Sequence, residues 1–263
     1  MATFSRLLGP LGHNACVFVA EVGEMGMLAG RTFVQTSRMR AEPVAVQMIR
    51  FGLRAIPIVS LVNLFVGMIV AVSMSEMLRK LGVITWTAKV VAVAVTRELA
   101  PLMTAIVMSG FSGAAIAAEI ATMTVNEEIL ALESAALSPI RFLVLPRMIG
   151  VCVMMMCLTL IADLLGMFGG YLVGTGMLDI GGPTYLEINN NAVEFGDVWK
   201  GLIKAFAFGA IVTLVACRQG LKADGGALGV GRATTSAVVL SIVLIIAANL
   251  GFAILFNWTL AEP

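Results

Sequence analysis

The sequence predicts an all-α membrane protein: five transmembrane helices, an amino-terminal interfacial helix and a short amphipathic helix between two of the spans. Of the 263 residues, 59% are hydrophobic and 13% are charged, whereas globular domains average roughly 45–50% and 25%. Mean hydropathy is +0.99. Several uncharged stretches are long enough to cross about 30 Å of hydrocarbon. Together these observations exclude an autonomous water-soluble enzyme.

Residues 1–45 are predicted to form an amino-terminal region lying along the membrane surface. Charges interrupt its apolar stretches at Glu21, Glu24, Arg31 and Arg38, so it fits an interfacial helix better than a span. An ordinary soluble helix is the alternative. No signal-peptide pattern is present, and Pro43 is expected to break the chain before the first span.

Residues 46–263 are predicted to form one membrane domain. Span one is placed at about 52–76, around the 21 uncharged residues 55–75. Span two is placed at 86–118, which puts the adjacent charges of Arg97 and Glu98 inside it.

Spans three to five complete this domain. Span three, at 147–178, is interrupted only by Asp163 and is long for one straight crossing, so a tilted or broken helix is expected. A polar loop over 179–197 leads to span four at 198–218. The Gly-rich stretch 225–231 is read as a flexible turn, because a dinucleotide fingerprint needs a preceding strand, and span five follows at 233–258.

The distribution of basic residues predicts the orientation. Six arginines lie in residues 1–54 and three basic residues lie in 218–232, whereas 179–197 holds four acids and no base. The amino terminus is therefore predicted to be cytoplasmic and the carboxyl terminus to lie outside. The turn with Arg79 and Lys80 is the one loop that argues the other way.

Four ionisable residues at membrane depth are candidate functional groups, because charges there are costly. They are Arg97, Glu98, Asp163 and Lys204. One interpretation is a bond between helices combined with snorkelling, and snorkelling alone would explain Lys204. The other is a wet cavity whose charges contact a polar headgroup.

The sequence gives little support for metal, catalytic or nucleic-acid-binding sites. The single histidine, His13, precludes a His-based metal cluster or Ser-His dyad within the membrane, and the four cysteines form no CxxC pair. A net charge of +1 gives no reason to expect nucleic acid. Small residues every fourth position, at Gly166, Gly170 and Gly174 and at Ser109, Gly113 and Ala117, predict close helix packing in a bundle or dimer.

The segment after span two predicts a short acidic helix to which a soluble partner could bind. Thr124 followed by Glu127 is typical of a capping box. Ile129 and Leu132 would share one face. The segment also contains Asn126, Glu128 and Glu133, and acids in the first turn favour the helix dipole.

Four motifs in this order resemble the MlaE family of bacterial ABC-transporter permeases, over about residues 50–257. Residues 97–101 resemble R-E-L-x-P, and residues 118–133 resemble A-E-x-x-T-M-x-V-x-E-Q-I-x-A-L-E. Residues 162–170 resemble A-D-x-x-G-x-x-G-G, and 217–235 resemble C-x-Q-G-L…G-V-G-R-A-T-T. Phe111, Glu128 and Leu130 depart from the family's usual Arg, Gln and Asp, which indicates a divergent branch.

The resemblance implies a homodimeric permease in the bacterial inner membrane that moves phospholipid between that membrane and the outer envelope. It implies a separate cytoplasmic ATPase docked on the 124–135 helix, so that ATP and magnesium belong to the partner and this chain binds no cofactor. An Mce-domain protein on the periplasmic side and a STAS-domain protein beside the ATPase are also implied. Arg97, Glu98 and Lys204 are the hypothesised polar part of the lipid pocket.

Three other functional classes remain as alternatives. An ion- or proton-coupled secondary transporter could use Arg97, Glu98 and Asp163 as a relay, although no paired inverted halves are detected. An intramembrane enzyme is the second alternative, but the sequence lacks the catalytic residues that such enzymes require. A purely structural membrane anchor is the third.

Overall fold

The computed structural model describes residues 41–259, and this part of the chain contains helices and no strand. Five helical segments within it are long and apolar enough to cross a membrane, which confirms the predicted fold class. The predicted interfacial helix of residues 1–45 lies almost entirely outside the described residues.

The five spans are longer than the sequence predicts, because a charge ends the apolar stretch without ending the helix. The bounds are Glu42–Lys80, Trp86–Val125, Ile140–Gly176, Phe195–Leu221 and Gly226–Phe256.

Span one begins earlier than predicted. Helix α1 (Ala41–Gln47) continues through a π-helical turn, Met48–Gly52, and a short 3-10 turn into α2 (Ile56–Lys80). The expectation that Pro43 breaks the chain is wrong, because Pro43 lies within α1, which belongs to span one.

Span two is a helix with two wide turns. It consists of α3 (Trp86–Ala94), α4 (Ala100–Met108) and α5 (Ala114–Val125). A π-helical turn, Val95–Leu99, joins the first two, and a second, Ser109–Gly113, joins the last two. Such turns often occur at functional sites.

Helix α6 (Glu128–Ser134) follows span two. Most of span three is a single helix, α7 (Leu145–Gly176), which runs for 32 residues without a break. Spans one and three run alongside each other and almost touch. A Cβ on Gly67 would lie 1.9 Å from the carbonyl oxygen of Gly166, and one on Gly169 would lie 2.2 Å from that of Leu64. Of the predicted small residues, Gly166 therefore makes a close helix contact within the chain.

The 179–197 segment is not a simple loop, which corrects the sequence interpretation. Eleven of its residues form helix α8 (Gly182–Ala192), whose Tyr185 is 1% exposed. The Tyr185 ring packs edge-on against Tyr171 at 5.6 Å and lies over Gly174. Burial raises the pKa of Tyr185 to about 12, because the phenolate loses its hydration.

Span four is α9 (Phe195–Leu221) and span five is α10 (Gly226–Thr259). The expected flexible turn over 225–231 is shorter than predicted. Only Gly225 and Gly226 have positive φ, at 87° and 68°, while the later glycines are already helical. Span four is the most buried of the five, whereas only 11% of the apolar window of span five is buried within this chain.

The bundle has two distinct ends. The amino-terminal end holds the start of span one, the end of span two, α6 and the turn between spans four and five. The opposite end holds α8, the starts of spans two and four, and the end of span five.

Candidate functional site

The site begins with an irregular stretch of backbone in span two. Pro101 has no N–H to donate to carbonyls one turn earlier, and the π-helical turn Val95–Leu99 lies just before it. The carbonyl oxygen of Arg97 instead accepts a hydrogen bond from Nζ of Lys204 at 3.1 Å. The turn thus presents Arg97 and Glu98 toward span four.

Lys204 is buried and paired, with only 1% of the residue exposed. Its Nζ lies 2.5 Å from Oε1 of Glu98 and 5.9 Å from the ring centre of Phe256. Asn249 Nδ2 donates to the other oxygen of Glu98 at 3.2 Å. Snorkelling therefore does not explain Lys204, since its ammonium group points into the bundle and not toward an interface.

A second ion pair lies beside the first. Arg97 Nε is 3.2 Å from Oδ1 of Asp197, and Lys200 Nζ approaches the same oxygen at 3.9 Å. Asp197, Lys200 and Lys204 are spaced at i, i+3 and i+7, which puts them on one face of α9.

These side chains surround a cavity of about 520 Å³, within the range of ordinary ligand pockets. It lies between spans two, four and five, toward the opposite end of the bundle. Its lining combines charged residues of spans two and four with apolar residues of spans two and five. The lining residues are Val93, Ala94, Arg97, Glu98, Lys200, Lys204, Ala253, Ile254 and Phe256.

Asp163 is not part of this cavity. It lies in span three with 4% of the residue exposed, and its Oδ1 has no hydrogen-bond partner among the described residues. Gly166, three residues later, faces the backbone of Asn63 in span one. The structure thus brings Arg97, Glu98 and Lys204 together and leaves Asp163 apart from them.

The predicted partner-binding helix lies at the other end of the bundle. The capping-box prediction is wrong: Thr124 lies in the last turn of α5, and its hydroxyl is within hydrogen-bond distance of the carbonyl oxygens of Ile120, at 2.9 Å, and Gly220, at 3.1 Å. Asn126 and Glu127 form the turn, with Glu127 at φ 60°, and α6 starts at Glu128.

Helix α6 itself has the predicted amphipathic character. Ile129 and Leu132 are half-buried on one face, while Glu127, Glu128 and Glu133 are exposed. A cluster of charges at Glu119 fixes the end of span two that carries this helix. Oε1 of Glu119 accepts from Arg50 of span one at 2.9 Å and pairs with Arg147 of span three at 3.1 Å.

The sequence interpretation missed three residues of the cavity region. The hydropathy pattern places Asp197 in a polar loop and Lys200 near a span end, although their spacing to Lys204 indicates a shared helix face. Asn249 is one of the few amide side chains in an otherwise apolar span. Among residues 41–259, no group of three His, Cys, Asp or Glu side chains is arranged to hold a metal ion.

Comparison with known proteins identifies the family. The family model described as "Permease MlaE" matches residues 44–255. The chain belongs to the MlaE permease family.

Curated relatives cover nearly the whole chain. A "Probable ABC transporter permease protein" of Rickettsia felis is 37% identical over 93% of this chain and 95% of that protein. A protein of the same description from Synechocystis is 35% identical over 90% and 91%. "Protein TRIGALACTOSYLDIACYLGLYCEROL 1, chloroplastic" of Arabidopsis thaliana is 35% identical over 77% of this chain and 58% of that protein. The MlaE match includes the α6 region and all the cavity-lining residues except Phe256.

Proposed function

We propose that this chain is the permease subunit of an ATP-driven ABC transporter that moves phospholipids between the inner membrane and the outer envelope. The observation that carries the proposal is the cavity between spans two, four and five of an MlaE-family permease. It combines the ion pairs of Arg97, Glu98 and Lys204 with an apolar wall that includes Ile254 and Phe256. A polar headgroup joined to apolar tails matches this combination of charged and apolar residues.

The cost of wetting lipid tails explains why a permease needs such a cavity. Burial of a methylene contributes about 0.8 kcal/mol, so exposing a lipid with about 30 of them would cost roughly 24 kcal/mol. The tails must therefore pass from the bilayer to the cavity without crossing water. Ile254 lines the cavity and is also 59% exposed on the outer face of span five, which offers such a path.

ATP hydrolysis is assigned to a partner. The sequence contains no G-x-x-x-x-G-K-[ST] loop, the phosphate-binding signature expected of an ABC ATPase. The partner would bind α6 and the turn before it, where Glu127, Glu128 and Glu133 are exposed. ATP and magnesium would then bind to that subunit and not to this chain.

The remaining assignments rest on the family resemblance and the charge pattern. We infer a homodimer in a bacterial inner membrane, with the amino-terminal end of the bundle cytoplasmic and the opposite end periplasmic. An Mce-domain protein would dock at the periplasmic end, and a STAS-domain protein would join the ATPase.

The ATPase assignment is tested by affinity purification of the chain in mild detergent, with a candidate ABC ATPase of the same organism co-expressed. Reversal of Glu127 and Glu128 to lysine should release the ATPase, because it removes the acidic surface of α6. Glu187→Lys, a charge reversal at an exposed position of α8, should retain it. Equal retention of the ATPase by all variants would contradict the assignment of α6.

The transport assignment is tested by ATP-dependent lipid transfer from proteoliposomes containing the complete complex. Charge reversal at Arg97, Glu98 or Lys204 should abolish transfer, while Lys80→Glu, in an exposed pair outside the cavity, should not. Intact transfer by all three cavity variants would remove these residues from the lipid path. If the complete wild-type complex transfers no lipid when ATP is supplied, the proposed function itself is overturned.

A further inference from the structure

The charges around the cavity do not balance. Arg97, Lys200 and Lys204 supply three positive charges, while Glu98 and Asp197 supply two negative charges. The other lining residues are apolar, so the cavity region carries one positive charge in excess.

The local geometry places that excess at Lys200. Glu98 is committed to Lys204 at 2.5 Å, and its second oxygen is occupied by Asn249. Asp197 is closer to Arg97, at 3.2 Å, than to Lys200, at 3.9 Å. Lys200 is therefore the least neutralised of the three cations, and its side chain is 23% exposed, which leaves it accessible from the cavity.

We propose that Lys200 makes the cavity select lipids with a net negative headgroup over zwitterionic lipids. This inference rests on the proposed lipid-transport function. A headgroup such as phosphatidylglycerol brings one uncompensated phosphate charge, which neutralises the excess at Lys200. A choline or ethanolamine headgroup also brings a cation, which would have to be accommodated beside Arg97 and Lys200. In a partly desolvated site, like-charge repulsion and ion pairing are stronger than in water.

Site-specific photo-crosslinking tests the selection directly. Benzoylphenylalanine replaces Val93, a lining residue, in the full chain assembled with its complex in nanodiscs of equimolar phosphatidylglycerol and phosphatidylcholine. Lipid adducts are identified by mass spectrometry. The same label at Phe65, which is 51% exposed on span one and is not a lining residue, reports the surrounding bilayer.

The expected result is an anionic-to-zwitterionic adduct ratio at Val93 about two- to fivefold above that at Phe65, the range expected for one partly screened ion pair. Lys200→Gln should reduce the ratio at Val93 to the value at Phe65. Lys200→Arg should preserve the enrichment because it keeps the charge. Lys89→Gln should also preserve it, since Lys89 is an exposed lysine at the start of span two, outside the lining.

Each other outcome overturns a different statement. Adducts at Val93 with the same ratio as at Phe65, or an enrichment unaffected by Lys200→Gln, would refute the selection and leave the lipid cavity standing. No lipid adduct at Val93 would refute the lipid cavity. Loss of adducts on addition of inorganic phosphate would show that the site binds the free anion in place of a lipid headgroup, and would overturn the assignment of a lipid as its ligand.

Discussion

At the residue scale, the burial of Lys204 depends on the partners that surround its ammonium group. Moving an ion into a low-dielectric region costs several kcal/mol unless pairing and hydrogen bonds offset the loss of water. Glu98 supplies the charge and the carbonyl of Arg97 supplies a further acceptor. The carbonyl oxygen of Arg97 can accept a hydrogen bond from a side chain because it lies in the irregular backbone of the Val95–Leu99 turn and because Pro101 has no N–H to donate to it.

Glu98→Gln is therefore expected to destabilise the protein by about 1–3 kcal/mol, since it leaves a buried lysine without its counter-charge. Thermal unfolding in detergent measures the change. The double variant Glu98→Gln with Lys204→Met should recover more than half of the loss. Glu76→Gln, in an exposed pair with Lys80, should stay within about 0.5 kcal/mol of the wild type. Equal effects of Glu98→Gln and Glu76→Gln would contradict the argument.

Asp163 separates the permease proposal from the ion-coupled alternative. It is buried in span three and is absent from the cavity lining, so a continuous relay with Arg97 and Glu98 is not supported. Asp163→Asn keeps the size and polarity of the side chain but cannot carry a proton. We expect ATP-driven lipid transfer to remain within about twofold of wild type and to be insensitive to a protonophore. Abolition of transfer by either treatment, in a folded protein, would favour the relay.

The sequence alone identified Arg97, Glu98 and Lys204 because charges at membrane depth are rare. It did not identify Asp197 and Lys200, because both are close to a span end, where hydropathy gives no reason to expect them in a cavity. Their pairing depends on the direction in which α9 faces span two, which is a tertiary property.

At the element scale, hydropathy located all five spans but not their helix ends. The limits of an apolar stretch follow the hydrocarbon thickness, whereas a helix continues until caps or backbone geometry end it. Span one therefore extends back to Glu42, and α8 forms where only a polar loop was expected. The π-helical turns of span two had no clear sequence signature apart from Pro101.

The glycine contacts of span three predict a sharp contrast between two positions on one helix. Gly169→Ala would place its Cβ 2.2 Å from the backbone oxygen of Leu64, whereas Gly176→Ala meets no atom within 4 Å. Because a backbone atom cannot move as a flexible side chain does, Gly169→Ala should destabilise the protein by about 2 kcal/mol or more. Gly176→Ala should be nearly neutral. Thermal unfolding of the two variants in the same detergent measures the difference, and similar midpoints would contradict the close approach of spans one and three.

Tyr185 gives helix α8 a stability that depends on pH. Its raised pKa, about 12, exceeds the ordinary value near 10 in the unfolded chain, so the folded state retains the proton longer. The contribution of Tyr185 to the stability of the fold is therefore fully present below about pH 10, and it is lost as the pH rises toward 12.

Tyr185→Phe should accordingly be near neutral at pH 8, because the hydroxyl has no hydrogen-bond partner among the described residues. At pH 11 the variant should be about 1 kcal/mol more stable than wild type. Tyr185→Ala should lose about 3 kcal/mol or more at both pH values by leaving a cavity. Thermal unfolding at the two pH values checks all three expectations. A wild-type-to-Phe difference that does not change with pH would show that Tyr185 is not buried in this way.

At the scale of the whole molecule, span five leaves an apolar stripe on the outside of the bundle. Val239, Val243, Ile246, Leu250 and Ile254 are each 47–63% exposed and recur every three or four residues, so they share one face. The last of them also lines the cavity. In the proposed homodimer, a second copy packed on this stripe would bring the two cavities to a common interface.

Cysteine cross-linking in native membranes tests that arrangement. With the native cysteines replaced, Leu250→Cys is expected to form a disulfide-linked dimer under mild oxidation, because a two-fold axis along span five would put the two copies of this position close together. Leu164→Cys is the matched control: it is 66% exposed but lies on span three, away from the stripe. Cross-linking at Leu164 and not at Leu250 would move the dimer interface to another face. If neither position forms a cross-link, and cysteines at Val243 and Ile246 do not either, the stripe faces lipid. The cavity of each copy would then open directly to the bilayer.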